Sequence, residues 1–255
     1  MRRPVAFVTT FGLGRTPAQV GMLQALADRA IKADVVVGTS LGAVNAAALA
    51  AGRTPEQMAE FWNWLHEEIL GSPVRAIARG VTGMQVRRQE GQVRARIAEL
   101  LPGEFAGLRI PLRLLATDLA TGGEVVLDSG DLVDAVMASC ALPGVFPPVA
   151  VRGRDLIDGG LVAGMPLRAV PDGAGTIISL DTGHSAVPVE TVAGYRWWEV
   201  AALSYAHQVR GQAVHALVLA AARAPVVLLT AGSDRLLEFP DPAEMIADGL
   251  AGAET

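Results

Sequence analysis

Three short runs of this sequence hold residue types that can carry out nucleophilic acyl chemistry. Gly38-Thr39-Ser40-Leu41-Gly42 is a GxSxG pentapeptide placed between valines at 35–37 and an alanine-rich stretch. With 28 glycines in the chain, such a pattern arises by chance about one time in ten, so its context decides its meaning. A strand, a sharp turn and a helix are that context. Gly38 and Gly42 flank the serine because the turn is tight, and the hydroxyl then projects above a sheet with the helix N-terminus behind it. Serine chemistry also requires amide donors for an oxyanion and a base for the hydroxyl proton. The loop Gly12-Leu13-Gly14, followed by Arg15, offers the donors. For the base, Asp158 in Leu156-Ile157-Asp158-Gly159-Gly160 precedes two glycines that admit a second backbone at close range. Asp118 and Asp181, each ending a strand-like run, are rivals that spacing does not exclude. The four histidines (66, 184, 207 and 215) have no motif around them.

These residues must be held by elements that the rest of the chain supplies. Strand-like runs occur at 4–10, 34–37, 111–118, 124–127, 176–181 and 225–230, several of them almost wholly apolar. Such strands are covered on both faces, and helical patterns at 17–30, 42–51, 56–70, 131–139, 194–222 and 241–250 alternate with them. The fold class is therefore α/β with a mostly parallel sheet. Thr16, Pro17 and Gln19 have the spacing of a capping box at the start of the first helix. No repeat, low-complexity tract or linker divides the 255 residues, which predicts one domain.

Composition narrows the function. With 51% hydrophobic and 18% charged residues and a formal charge of -5, the chain is globular and has no general attraction to nucleic acid. Lone Cys140 excludes a disulfide framework, the histidine spacings match no zinc pattern, and nothing calls for a cofactor. The charge-free run 35–52 has a span's length but is interrupted by Gly38, Thr39, Ser40 and Gly42, as a strand-turn-helix is. No A-x-A processing site follows the basic N-terminus, which points to a cytoplasmic protein. Between 75 and 97 the net charge is +5, six Arg against Glu90, in a glycine-interrupted stretch (71–110) expected to be a solvated face or a basic lid over anionic lipid. Trp62, Trp64, Trp197 and Trp198 are candidates for a membrane interface or for the core.

Taken together, the glycine loop with Arg15 and VGMLQAL (20–26), GTSLG (38–42), PLRLLATDLATG (111–122), ASCALPGVFPPV (138–149) and LIDGGLVAGMP (156–166) resemble the patatin-like phospholipases. The resemblance spans about residues 4–183. It implies a three-layer αβα fold and hydrolysis of lipid acyl esters at a Ser-Asp dyad. Ser40 becomes the nucleophile, Asp158 the base with Gly159 and Gly160 in support, Gly12, Leu13 and Gly14 the oxyanion loop, and Arg15 a supporting cation. It also implies a lipid partner and peripheral membrane contact. Two features depart from the family's pattern: in the loop Leu13, Phe11 and Thr16 replace glycines, and Leu13 keeps the amides in place only with negative φ, while Gly164 and Met165 stand ahead of Pro166 where the family often has an Asn before the proline. Two further classes are compatible with the residues. One is a non-catalytic lipid-binding or scaffolding member of the same fold. The other is a dinucleotide-binding protein built on Gly12-x-Gly14, although its third glycine would fall at Pro17.

Overall fold

A computed structural model of the chain describes residues 1–70, 83–182, 197–231 and 241–253. Its eight strands are β1 (Val5–Thr9), β2 (Val35–Thr39), β3 (Leu112–Asp118), β4 (Glu124–Leu127), β5 (Val149–Val151), β6 (Arg154–Asp158), β7 (Thr176–Asp181) and β8 (Val226–Thr230). They form one sheet in the order β5-β6-β3-β2-β1-β7-β8, with β4 also paired to β3. Strands β3, β2, β1, β7 and β8 are parallel neighbours, whereas the pairs made by β4, β5 and β6 are antiparallel. Because β1 has β2 on one side and β7 on the other, the sheet changes direction of travel at its C-terminal end. Open α/β sheets bind ligands at such a switch point.

Both faces are covered, as the unbroken apolar strands predict. Val5, Phe7, Val36, Leu112, Leu114 and Ile178 face a core shared with α1 (Ala18–Asp28), α2 (Leu41–Ala50), α3 (Pro55–Leu65), α4 (Gly83–Leu100) and α5 (Leu132–Ser139). Met245 of α8 (Pro242–Gly252) joins the same core. The alternate residues Ala6, Val8, Val35, Val37 and Ile177 face a second core with Ala163 of the short helix α6 (Gly160–Ala163) and with Ala213 and Ala220 of α7 (Trp197–Ala221). The architecture is three layers, αβα, with a mixed sheet. The run 35–52 is β2, a turn and α2, and eight of the ten α2 residues are buried. Among the described residues no helix is long and apolar enough to cross a membrane.

Several expectations change. Strands β5 and β6 were not foreseen: they form a hairpin turned by Arg152 (φ 51) and Gly153 (φ 75), the left-handed pair of a two-residue turn. An arginine in the first left-handed position hides that signal, since Asn or Asp is the usual occupant. The capping box at Thr16 does not form; α1 starts one residue past Pro17, which makes no side-chain cap. A full capping box stands instead at Thr54 and Gln57, on α3. Residues 83–100 are one continuous helix rather than short pieces, with Val93, Ile97 and neighbouring Leu101 buried. Of its arginines, Arg94 pairs with Asp134, and Arg96 with Glu99 at 2.7 Å. Arg75 and Arg79 lie outside the described residues, as do His184 and the side chains of Trp197 and Trp198.

Candidate active site

The sharp turn at Ser40 is built by register. Thr39, the last residue of β2, pairs with Leu115 of β3, and Asp158, the last of β6, pairs with the next residue, Ala116. Two strands distant in sequence therefore end beside consecutive positions of one central strand. Ser40 follows at φ 53, ψ -142, a conformation that L-residues rarely adopt and that turns the chain straight into α2. Gly42 makes that turn possible by close approach, since a Cβ there would stand 2.4 Å from the Thr10 carbonyl oxygen. Gly38 is similarly crowded, by Ala46 and Ala43 of α2.

The Ser40 hydroxyl donates to Asp158 Oδ2 at 2.7 Å. Both side chains are buried, Ser40 with 4% and Asp158 with 1% of its surface exposed. The other carboxylate oxygen, Oδ1, accepts from the Gly160 amide at 2.7 Å and from the Tyr205 hydroxyl at 3.2 Å. Burial pushes the Asp158 carboxyl up to about 6, against the opposing pull of the Ser40, Gly160 and Tyr205 hydrogen bonds. A carboxylate so placed is a far better proton acceptor at neutral pH than an exposed one.

One segment holds both members of this pair. The Ser40 amide donates to Ser139 Oγ at 3.0 Å, and the Cys140 thiol donates to the Ser40 carbonyl at 2.9 Å. From the same turn, the Ala141 carbonyl accepts from the Asp158 amide at 3.0 Å and the Ser139 carbonyl from the Gly159 amide at 3.2 Å. The Ser139 hydroxyl in turn donates to the Leu115 carbonyl at 2.6 Å, tying the assembly to β3. Burial and the neighbouring Asp158 charge raise the Cys140 thiol well above its ordinary value, so it stays protonated as a donor.

The glycine loop lies against the elbow. Leu13–Arg15 form a 3-10 turn, a backbone of negative φ that a leucine adopts without strain. The amides of Leu13 and Gly14 fall in its first turn, where helical geometry provides no acceptor. Gly12 is packed so closely that a Cβ would stand 2.2 Å from Thr182 Oγ1. Arg15 is wholly buried, its amide donating to the Gly12 carbonyl at 3.0 Å. Gln19, expected in a capping box, instead sends its side-chain amide to the Thr10 carbonyl at 2.9 Å and to the Leu180 carbonyl at 3.2 Å. Asn45, five residues past Ser40 on α2, donates to the Thr16 carbonyl at 3.1 Å and accepts from buried Trp62 at 2.8 Å. Trp62 is thus part of the core that fixes the loop.

The rival carboxylates are occupied elsewhere. Asp118 Oδ1 accepts from the amides of Ala120 and Thr121, closing the turn after β3. Asp181 takes a hydroxyl hydrogen bond from Thr10 at 3.3 Å. His207 and His215 are exposed and His66 half-buried, and among the described residues the side-chain partners of the Asp158 carboxylate are Ser40 and Tyr205. Ser139 and Tyr205 give no sequence signal of their own. Tyr205 sits in the middle of a helix some 47 residues beyond the base, in a stretch without a motif.

Comparison with known proteins adds the following. The family model for "Patatin-like phospholipase" matches residues 12–171. An uncharacterized NTE family protein of Mycobacterium bovis is 32% identical over 166 residues, covering 65% of this chain and 45% of its own length. The patatin-like phospholipase domain-containing protein 7 of Rattus norvegicus is 30% identical over 186 residues, 70% of this chain and 14% of its own length. The chain therefore spans less than half the length of these relatives. Among solved structures, VipD from Legionella pneumophila superposes with a TM-score of 0.54 over 98% of this chain and 65% of its own, at 13% identity, a likeness of fold.

Proposed function

The chain belongs to the patatin-like phospholipase family, and from that premise we propose that it is a serine acyl hydrolase working through Ser40 and Asp158 on a lipid acyl ester. The observation that carries this reading is the 2.7 Å hydrogen bond from the Ser40 hydroxyl to Asp158 Oδ2. Asp158 takes the Ser40 proton as the oxygen attacks the acyl carbonyl, forming the Ser40 Oγ to carbon bond. The amides of Gly12, Leu13 and Gly14 receive the carbonyl oxygen as it becomes negative, with the buried Arg15 cation behind them. Collapse breaks the bond to the leaving alkoxide, which receives the proton held on Asp158. A water then gives its proton to Asp158 and attacks the acyl-enzyme, and Ser40 regains a proton as the carboxylic acid departs.

A soluble protein that works at a membrane surface is the setting this reading implies. The non-catalytic alternative is disfavoured by the strained Ser40 backbone. Strain of this kind costs about 1–3 kcal/mol and persists where the hydroxyl is used.

The test is a panel of p-nitrophenyl esters of increasing chain length, together with labelling by a fluorophosphonate. Wild type should turn over the esters and take one label on Ser40. Ser40→Ala should lose both, and Asp158→Asn should lose about 10³-fold or more in kcat, as removal of a general base does. Turnover that survives Ser40→Ala overturns the reading.

A further inference from the structure

Helix α7 lies outside the segment matched by the family model, yet three of its side chains rest on the segment that carries the base. Tyr205 donates to Asp158 Oδ1 at 3.2 Å, and Gln212 Nε2 donates to the Leu161 carbonyl at 3.1 Å. Between them Val209, fully buried, occupies the space over Gly164, where a Cβ would stand 2.0 Å from Val209 Cγ1. Positions 205, 209 and 212 share one helical face, so a single docking event seats all three. Gly164 matters for the opposite wall as well, since its carbonyl accepts from the Phe11 amide at 2.8 Å. Phe11 in turn meets the Tyr205 ring edge-to-face, with centroids 5.2 Å apart. Tyr205 thus touches the base through its hydroxyl and the start of the glycine loop through its ring.

We propose that Tyr205 is the positioning residue of this site: it holds Oδ1 of Asp158 so that Oδ2 faces the Ser40 hydroxyl, and it aligns the base with the glycine loop through Phe11. This rests on the serine hydrolase reading above and assigns a role to a part of the chain that the family match leaves unassigned. The geometry requires both partners. With Oδ1 engaged by the Gly160 amide and the Tyr205 hydroxyl, rotation of the carboxylate about its Cβ–Cγ bond would break two hydrogen bonds at Oδ1, besides the one from Ser40 at Oδ2. With the amide alone, it would break one at Oδ1. The phenol can serve across the working pH, because burial and the adjacent Asp158 raise it and keep it protonated. Tyr205 acts on Asp158 through its hydrogen bond and remains neutral, as does nearby Cys140, whose thiol the Asp158 charge raises, so the effect of Tyr205 is that of a donor and not of a charge.

Tyr205→Phe keeps the ring and its contact with Phe11 and removes only the hydroxyl. The measurement is the pH profile of kcat/KM for a p-nitrophenyl ester, with thermal unfolding of both proteins as a check on folding. A lost hydrogen bond to the ionised carboxylate leaves burial less opposed, so the acid limb should move up by about 0.5–1 pH unit. Turnover near pH 5.5 should accordingly fall about 2.5–7-fold further than turnover near pH 8. A merely structural role would lower both limbs equally. The chain contains only one other tyrosine, Tyr195, so uniform fluorotyrosine incorporation in a Tyr195→Phe background modifies Tyr205 alone. The more acidic phenol is a stronger donor and should move the limb down, which carries the test if Tyr205→Phe does not fold. Wild-type turnover with an acid limb unmoved by either change overturns the role of Tyr205 alone. Absence of wild-type turnover and of fluorophosphonate labelling overturns the hydrolase reading and this role together.

Discussion

Gly159 and Leu115 stand so close that a Cβ at position 159 would come within 2.1 Å of the Leu115 carbonyl oxygen. The contact is backbone against backbone, at the point where β6 leaves β3, and the neighbouring residue on each strand belongs to the site. Asp158 pairs with Ala116, and Thr39, which leads into Ser40, pairs with Leu115. The second residue of the Asp-Gly-Gly run is therefore a spacer of fixed thickness between the end of β6, which carries Asp158, and β3, the strand against which β2 and Ser40 are registered.

Gly159→Ala has no flexible side chain to displace and must lift the end of β6 off β3. It is expected to lower stability by about 2–4 kcal/mol, in the range of overpacking combined with a broken hydrogen bond. Ester turnover should fall by at least about 100-fold, because the carboxylate moves with the backbone. Urea denaturation and p-nitrophenyl ester kinetics measure the two effects. Gly91→Ala is the matched control: Gly91 lies in α4 with open space around it, so the same methyl should stabilise by about 0.5–1 kcal/mol and leave turnover alone.

The nucleophile's own backbone offers a second measurement. At φ 53 and ψ -142 the Cβ of Ser40 is a source of strain that glycine relieves. In an ordinary helix or strand, alanine is more stable than glycine by about 0.5–1 kcal/mol. At position 40 the order should reverse, with Ser40→Gly more stable than Ser40→Ala by about 1 kcal/mol and both without esterase activity. Denaturant midpoints of the two variants check the prediction, and an alanine variant as stable as the glycine variant would contradict it.

Ser40 and Asp158, which the structure brings together, were legible because each lies in a local pattern set by close packing: glycines two residues either side of the serine, and two directly after the aspartate. The central strands were legible because burial on both faces leaves an apolar run. Harder to see were elements whose reason is tertiary. Strand β6 contains exposed Arg154 and Asp155, one strand in from the sheet's edge, and its partner β5 at that edge is three residues long. β5 is apolar but too short to identify as a strand, and β6 shows neither an apolar run nor alternation. Gln19 has capping-box spacing from Thr16, but two carbonyls at the ends of β1 and β7 offer its amide acceptors that no local pattern records. Tyr205 is the extreme case, since nothing near it in the chain requires a hydroxyl.

Turnover should follow the ionisation of Asp158. Burial holds its carboxyl up at about 6, and only the ionised form accepts the Ser40 proton. Plots of kcat/KM against pH should rise about tenfold per unit below that value and level off above it. A histidine base would give a limb at nearly the same pH, so the limb alone does not identify the group. Ionisation of a neutral carboxylic acid creates charge whereas ionisation of imidazolium does not, so a medium of lower dielectric raises only the first. Repeating the profile in a water–dioxane mixture should move the limb up, and a stationary limb would reassign the base.

The same carboxylate should be a cost to the folded state. Its folded value of about 6 lies above the ordinary 3.8, so the native protein holds a proton that the unfolded chain releases between those two values. The contribution of this group to stability is then full below about pH 4 and is lost as pH rises through about 6. A displacement of about two units corresponds to something on the order of 3 kcal/mol at neutral pH. Asp158→Asn removes the charge while leaving Oδ1 to accept from Gly160 and Tyr205, so the inactive variant should be the more stable protein. For a chain of this size 1 kcal/mol moves Tm by about 2–4 °C, which makes the expected gain several degrees at pH 8. Other carboxylates titrate alike in both proteins and cancel in the difference. The gap in Tm between Asp158→Asn and wild type should be near zero at pH 4, widen between pH 4 and 6, and hold constant above about pH 7. A gap of opposite sign, or one that does not change with pH, would mean that Asp158 is not a buried carboxylate ionised against its surroundings.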